Sequence, residues 1–252
     1  MLQSVHLIVF SPTGSTRKLA EDLARNLSET VTVSDLMTKD PVSLPEAELY
    51  VLAAPVYGGR IPDYMAQRLQ TLRGDGRKAV VLAVYGNRHY DDALLEMQDI
   101  LQARGFSVLG GAALIARHCM VPELAAGRPD EQDREELRRF AHKLLDKLKA
   151  GDLSCPVLPG NRPYREGMKV IYTPESAEGC TACGSCARIC PVEAIRMENG
   201  KAVTELSRCI LCLACTVSCP QNARFVPPEK LSGLREHLAP CMNVRRENEF
   251  YL

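Results

Sequence analysis

No single sign of charge dominates this chain: 31 Lys and Arg residues face 31 Asp and Glu residues, for a formal net charge of zero. Without a basic excess there is nothing to neutralise phosphates in bulk, which argues against nucleic acids and anionic membrane surfaces as partners. Long apolar runs are also missing. The longest, Val108–Ala116 and Ala79–Tyr85, fall well short of the roughly 20 residues of a spanning helix. The opening MLQSVHLIVFSPTGS has neither a basic n-region nor a small-residue cleavage site, so it does not read as a signal peptide, and the cytoplasm is the expected setting. Apolar residues at 46% and charged residues at 25% exclude a disordered or collagen-like chain. A length of 252 residues allows one large domain or two modest ones.

Cysteine is scarce in one half and dense in the other. None occurs before Cys119, yet eight of the eleven lie between Cys180 and Cys219. In a chain without an export signal such a block reads as metal ligands before disulfides. The expected division is residues 1–150, a linker over 151–178, a metal-binding unit over 179–227, and a C-terminal extension over 228–252.

In the first part, short Val-, Leu- and Ile-rich runs recur at Val5–Phe10, Val31–Val33, Leu49–Val56, Ala79–Tyr85 and Val108–Ala116. Near-continuous runs of this kind suit strands buried on both faces of a parallel sheet. Helical patterns lie between them. Leu19, Ala20, Leu23, Ala24 and Leu27 share one face of Arg17–Ser28. Pro62–Leu72, Asp91–Ala103 and Glu131–Leu148 predict three further helices, with Asp91 and Asp92 favoured by the dipole at a helix start. Any helix in Leu36–Pro45 would be small. The alternation predicts a doubly wound α/β sheet of order 2-1-3-4-5.

Ligands of such sheets bind at the carboxyl ends of the strands, where three loops stand out. Ser11-Pro-Thr-Gly-Ser-Thr16 offers hydroxyls, successive N–H groups and a helix start, which together can cradle a phosphate. It lacks the Gly-Lys-Ser/Thr ending of a P-loop, and with one glycine it is no dinucleotide fingerprint. The same hydroxyls could instead only cap the helix. Ala54-Pro-Val-Tyr-Gly-Gly-Arg60 lets the backbone approach a flat ligand, or is a tight turn. Tyr85-Gly-Asn-Arg-His-Tyr-Asp91 presents polar groups to a ring edge, or is a surface loop in which His89 is simply solvated.

The SPTGST loop resembles the phosphate loop of flavodoxins, and AAPVYGG and YGNRHYDD stand where flavodoxins place the loops that sandwich the isoalloxazine. This resemblance, over Met1–Ala150, implies FMN. Ser11, Thr13, Gly14, Ser15 and Thr16 would hold the phosphate. Pro55, Val56, Tyr57, Gly58 and Gly59 would border one side of the ring, and Tyr85, Gly86, Asn87 and Tyr90 the other. The tryptophan that many flavodoxins stack on the inner ring face has no counterpart, because the chain contains none.

Gly151–Gly179 is rich in proline and glycine and reads as a linker crossing a domain surface. Cys180-x2-Cys183-x2-Cys186-x3-Cys190-Pro191 then repeats, 29 residues on, as Cys209-x2-Cys212-x2-Cys215-x3-Cys219-Pro220. This is the bacterial two-cluster ferredoxin run, in which each fourth Cys ligates the other cluster. One [4Fe–4S] cluster would use Cys180, Cys183, Cys186 and Cys219, the other Cys209, Cys212, Cys215 and Cys190. A zinc ribbon would leave cysteines over in each motif, and disulfides would need an oxidising compartment. Cys119, Cys155 and Cys241 are expected to be structural thiols. Glu229–Leu238 could form a short helix against either part, and RRENEF reads as a solvated tail.

The whole chain is similar to ferredoxin–flavodoxin fusion proteins, the EFR-type ferredoxin family widespread in anaerobes: a flavodoxin-like α/β domain followed by a small α+β bacterial ferredoxin domain with two [4Fe–4S] clusters. The resemblance implies an electron carrier between redox partner proteins, with FMN coupling one- and two-electron steps. The RHCMVPELAAGRPD stretch would close over the flavin edge. No catalytic acid, base or nucleophile set appears. A flavin-dependent reductase of a quinone or nitro compound, and a ferredoxin with a flavin-free interaction domain, are the alternatives. A homodimer is expected if flavin and clusters lie too far apart in one chain.

Overall fold

The computed structural model describes Met1 to Leu252 except Lys39 and Ser43. Five strands form a parallel sheet: β1 (Val5–Val9), β2 (Val31–Asp35), β3 (Leu49–Pro55), β4 (Lys78–Tyr85) and β5 (Ser107–Ile115). They lie in the order β2-β1-β3-β4-β5, as the alternating pattern predicts. The four strands after the β2 edge are buried almost throughout, which is why they read as continuous apolar runs. The edge strand β2 is half-exposed.

Helices α1 (Ser15–Leu27), α2 (Asp63–Leu69), α3 (Ala93–Ala103) and α4 (Glu131–Lys149) cover the sheet. Side-chain alternation splits each strand between two cores. Leu7, Val51 and Leu82 face Leu23 of α1 and Leu144 of α4. Ile8, Leu52 and Val81 face Met65 of α2 and Met97 of α3. Each fully buried leucine contributes about 1.5–3 kcal/mol. In Leu36–Pro45, Lys39 and Ser43 lie outside the described residues, and the rest forms no helix.

Asp92 is the N-cap residue of α3, but its side chain makes no capping hydrogen bond. Asp92 is buried and accepts from the N–H groups of Asn161 and Arg165, at 2.8 and 2.7 Å. Burial would raise its carboxyl, but these donors and the Asn161 amide outweigh that and hold it low. The linker is thereby fastened along α3, where Arg162 and Tyr164 both reach Asp99.

The cysteine-rich part has short elements: β6 (Glu175–Ser176), α5 (Ser185–Ile189), β7 (Ile195–Glu198), β8 (Lys201–Thr204), α6 (Ala214–Val217) and β9 (Arg224–Phe225). β6 pairs with β9 and β7 with β8, both antiparallel. The sequence repeat is also a backbone repeat. Ala182 and Leu211 share left-handed torsions at the 29-residue offset, as do Gly184 and Leu213, and Glu193 and Asn222.

The chain then returns to the first domain. α7 (Ser232–Leu238) packs Leu238 on Val121 and Leu124. RRENEF is not a solvated tail: β10 (Glu249–Tyr251) adds an antiparallel strand to β5. Phe250 packs on Phe140 with ring centroids 5.1 Å apart, while Asn248 accepts from the Ile115 N–H at 2.9 Å. This strand covers an edge that would otherwise be open to pairing with another chain. No helix among the described residues is long and apolar enough to cross a membrane.

Candidate functional site

The loops after β1, β3, β4 and β5 surround an open cleft of about 250 Å³. Thr13, Ser15 and Thr16 line it from the first loop, Pro55, Val56, Tyr57, Gly58 and Gly59 from the second, and Tyr85 and Gly86 from the third. Ser11 supports the first loop from behind: its hydroxyl accepts from the Arg17 N–H at 2.9 Å. Gly14 is the N-cap of α1, and its N–H donates to the Ser11 carbonyl. Among the described residues no protein group accepts from the N–H of Thr13, Ser15 or Thr16. Orphan donors at the positive end of a 13-residue helix fit a phosphate monoester.

Two residues expected at the ring turn elsewhere. Asn87 is buried and donates to the carbonyls of Cys241 and Val244, at 3.2 and 2.7 Å, which anchors the C-terminal segment. The Tyr90 hydroxyl is taken by Glu249 and Tyr251, at 2.7 and 2.9 Å. Both side chains serve the returning chain, a long-range contact that no local pattern announces.

The fifth-strand loop, expected over the flavin edge, does line the cleft, with Arg117, His118, Cys119 and Met120. Cys119 is therefore a cleft residue rather than a core thiol, and its side chain is exposed there. Cys155 is exposed and accepts from the amides of Gln98 and Gln102, whereas Cys241 packs beside Leu238. The Nδ1 atom of His118 accepts from the N–H groups of Met120 and Val121, at 3.2 and 3.1 Å. Its proton must then sit on Nε2. Burial lowers this imidazole to about 4, so the ring stays neutral at physiological pH. A Cβ at Gly86 would come within 2.4 Å of the His118 ring, so glycine is needed for that approach.

The remaining wall comes from distant sequence: Arg165 and Met168 of the linker, Leu211 between two cysteines, and Leu234, His237 and Leu238 of α7. Neither Asp91 nor Asp92 lines the cleft, while Arg88, Arg117 and Arg165 do. Asp91 is paired with Arg88 and Arg165. With three arginines and no carboxylate in its lining, the cleft keeps a cationic excess that favours an anionic ligand. Burial, with Cys212 and Cys119 nearby, pushes the Tyr57 phenol well above its usual range.

The cysteines gather in two places. Cys180, Cys183, Cys186 and Cys219 line one small cavity. Cys190, Cys209, Cys212 and Cys215 line another. In each, the fourth cysteine comes from the other motif. Among the described residues no three His, Cys, Asp or Glu side chains converge on a point that could hold one metal ion. Four cysteines drawn in this way from a doubled C-x2-C-x2-C-x3-C run suit a [4Fe–4S] cluster. Symmetric amides point at the sulfurs: the Ala194 N–H donates to Cys190 Sγ at 3.3 Å, and the Ala223 N–H to Cys219 Sγ at 3.2 Å. Burial pushes the Cys212 thiol up to about 12 and Cys215 up to about 11. Thiols so buried ionise only beside a strong cation, as iron would be.

Residues 7–142 match the family model described as Flavodoxin, and residues 179–224 match a 4Fe-4S dicluster domain. YsaA of Escherichia coli (strain K12), provisionally named an electron transport protein, is 42% identical over 53 residues, 20% of this chain and 34% of YsaA. An uncharacterized ferredoxin, MJ0155 of Methanocaldococcus jannaschii, is 39% identical over 49 residues, 19% of this chain and 32% of the ferredoxin. The chain therefore spans about a third of the length of these relatives. Among solved structures, a flavodoxin of Streptococcus pneumoniae TIGR4 is 25% identical, with a TM-score of 0.44 over 57% of this chain and 99% of that one. A flavodoxin domain implies FMN, and a dicluster domain implies two [4Fe–4S] clusters.

Proposed function

This chain belongs to the flavodoxin family and carries a 4Fe-4S dicluster domain, and from that premise we propose that it is an electron carrier whose two iron–sulfur clusters exchange electrons with FMN inside one polypeptide. When bound, FMN supplies one- or two-electron chemistry and each cluster one-electron chemistry.

The observation that carries the proposal is the position of Leu211. It lies between Cys209 and Cys212, lines their cavity, and also forms a wall of the nucleotide cleft. Tyr57 stands in the same partition, facing both the cleft and the surface beside Cys209. The set of Cys190, Cys209, Cys212 and Cys215 is thus proximal to the cleft. The set containing Cys180 is distal, and its Cys183 is exposed, where a redox partner protein could dock. One chain suffices for this route, so a dimer is not required.

The loop residues Thr13, Ser15 and Thr16 would hold the phosphate through their orphan N–H groups, without a cationic side chain. Tyr57 and Tyr85 would flank the ring in place of tryptophan. We place the protein in the cytoplasm, where its thiols would stay reduced. Residues 1–150 and 179–227 are taken as the two cofactor units. The segments over 151–178 and 228–252 would fasten one to the other.

Anaerobic reductive titration of protein reconstituted with FMN, iron and sulfide tests this reading. About four electrons per chain are expected, two for the flavin and one for each cluster. Protein that takes up iron but no FMN would instead be a ferredoxin with a flavin-free interaction domain.

A further inference from the structure

The sequence repeat has one chemical break. In the first motif CPVEAI ends on Ile195, and in the second CPQNAR ends on Arg224, 29 residues later. Each opens a short strand, and each lines one cysteine cavity. Ile195 lies against the set containing Cys209, and Arg224 against the set containing Cys180.

Arg224 is only 4% exposed. Its guanidinium donates to Ser176 Oγ at 2.8 Å and to the carbonyls of Ala202 and Pro174, at 3.0 and 2.9 Å, and also bonds Thr204 Oγ1. All four partners are neutral. No carboxylate among the described residues forms an ion pair with it, and its buried Nε has no partner at all. A buried cation without a counter-charge is strongly unfavourable, so it calls for an anion that belongs to the site. The four thiolates of a bound cluster would be that anion. The guanidinium also hydrogen-bonds the Cys215 thiol of the other set, but the cavity it lines is that of Cys180, Cys183, Cys186 and Cys219.

We infer that Arg224 is the counter-cation of the cluster held by Cys180, Cys183, Cys186 and Cys219, and that it raises this cluster's potential above that of its symmetry mate beside Ile195. The inference rests on the crossed cluster assignment but not on flavin binding. One-electron reduction adds a unit of negative charge, which a fixed cation stabilises more than it stabilises the oxidised form. Electrons entering from outside would therefore tend to rest at the distal, exposed side of the route.

The test is an EPR-monitored dithionite titration of the holoprotein, with each signal assigned by its loss in Cys219→Ala or Cys190→Ala. Arg224→Gln keeps an amide donor and removes the charge, whereas Arg224→Lys keeps the charge and loses the fork. In Arg224→Gln the equilibrium for reducing the Cys180-side cluster should fall about tenfold, which is about 59 mV for one electron. The other cluster should move less, and Arg224→Lys should stay near the unmodified protein. If Arg224→Gln fails to assemble iron while Arg224→Lys does, the charge requirement stands. Unchanged potentials in Arg224→Gln, or equal iron loss in both variants, would overturn the inference. Unmodified protein that assembles only one cluster would instead bring down the crossed assignment beneath it.

Discussion

Cys219→Ala protein should hold about four iron atoms per chain where the unmodified protein holds about eight. The cluster it loses should be the one whose other cysteines lie in the first motif. Sequence distance argues the other way, since Cys219 is only four residues from Cys215 and 33 from Cys186. The fold overrules it: Cys219 shares a cavity with Cys180, Cys183 and Cys186, while Cys190 sits with Cys209, Cys212 and Cys215. Helices α5 and α6 run beside each other, which carries the end of each motif to the opposite cavity. The core of this small unit consists largely of the cysteines and a few residues such as Ala202 and Ile195, so cluster loss should also destabilise it. Iron quantitation with EPR reads the outcome. Loss of the cluster held by Cys209, Cys212 and Cys215 alone would contradict the crossed arrangement.

Asp133→Ala should be the most damaging substitution away from the cofactors, costing about 3–5 kcal/mol. Asp133 is 2% exposed and Arg128, 8% exposed, meets it with a two-pronged contact. The same carboxylate accepts from the Asp130 N–H at 2.7 Å, closing a reciprocal cap on α4. It also accepts from the Asn248 amide at 2.8 Å. Arg128 in turn donates to the Arg246 carbonyl at 3.0 Å. One side chain therefore joins the start of α4, the fifth-strand loop and the strand that returns to the sheet edge. Alanine would leave a buried guanidinium with Asp130 as its nearest carboxylate, 4.0 Å away, and would loosen β10. Urea unfolding of the holoprotein followed by circular dichroism measures the cost. A loss below about 1 kcal/mol would mean that the pair contributes no more than an exposed one.

Much of this organisation is written locally. Strands such as Ala79–Tyr85 announce themselves because both faces are covered, and the amphipathic face of α1 shows in the spacing of Leu19, Leu23 and Leu27. The cysteine spacing is equally direct, since a cluster needs its ligands at fixed intervals. What sequence reading misses are contacts between segments far apart in the chain. The charged RRENEF reads as solvated because Phe250 is its one apolar residue, and its packing is seen only once the strand is in place. Asn87 and Tyr90 look like ring contacts until the C-terminal segment comes back to claim their polar atoms. Met168, Leu211 and His237 enter the cleft from three separate regions without any shared periodicity. Arg224 was legible in principle, as the residue that breaks the internal repeat, but its meaning depends on burial.

Leu211 lines both the cleft and one cysteine cavity, and the electron route proposed through that shared wall predicts exchange within one chain, which its concentration dependence tests most directly. Fully reconstituted, oxygen-free protein would be mixed rapidly with a limiting one-electron reductant, and the cluster and flavin absorbance followed over a tenfold dilution series. The redistribution of electrons from clusters to flavin should be first order, with the same rate constant at every protein concentration. A rate that falls in proportion to dilution, or cofactors that never equilibrate, would contradict the account.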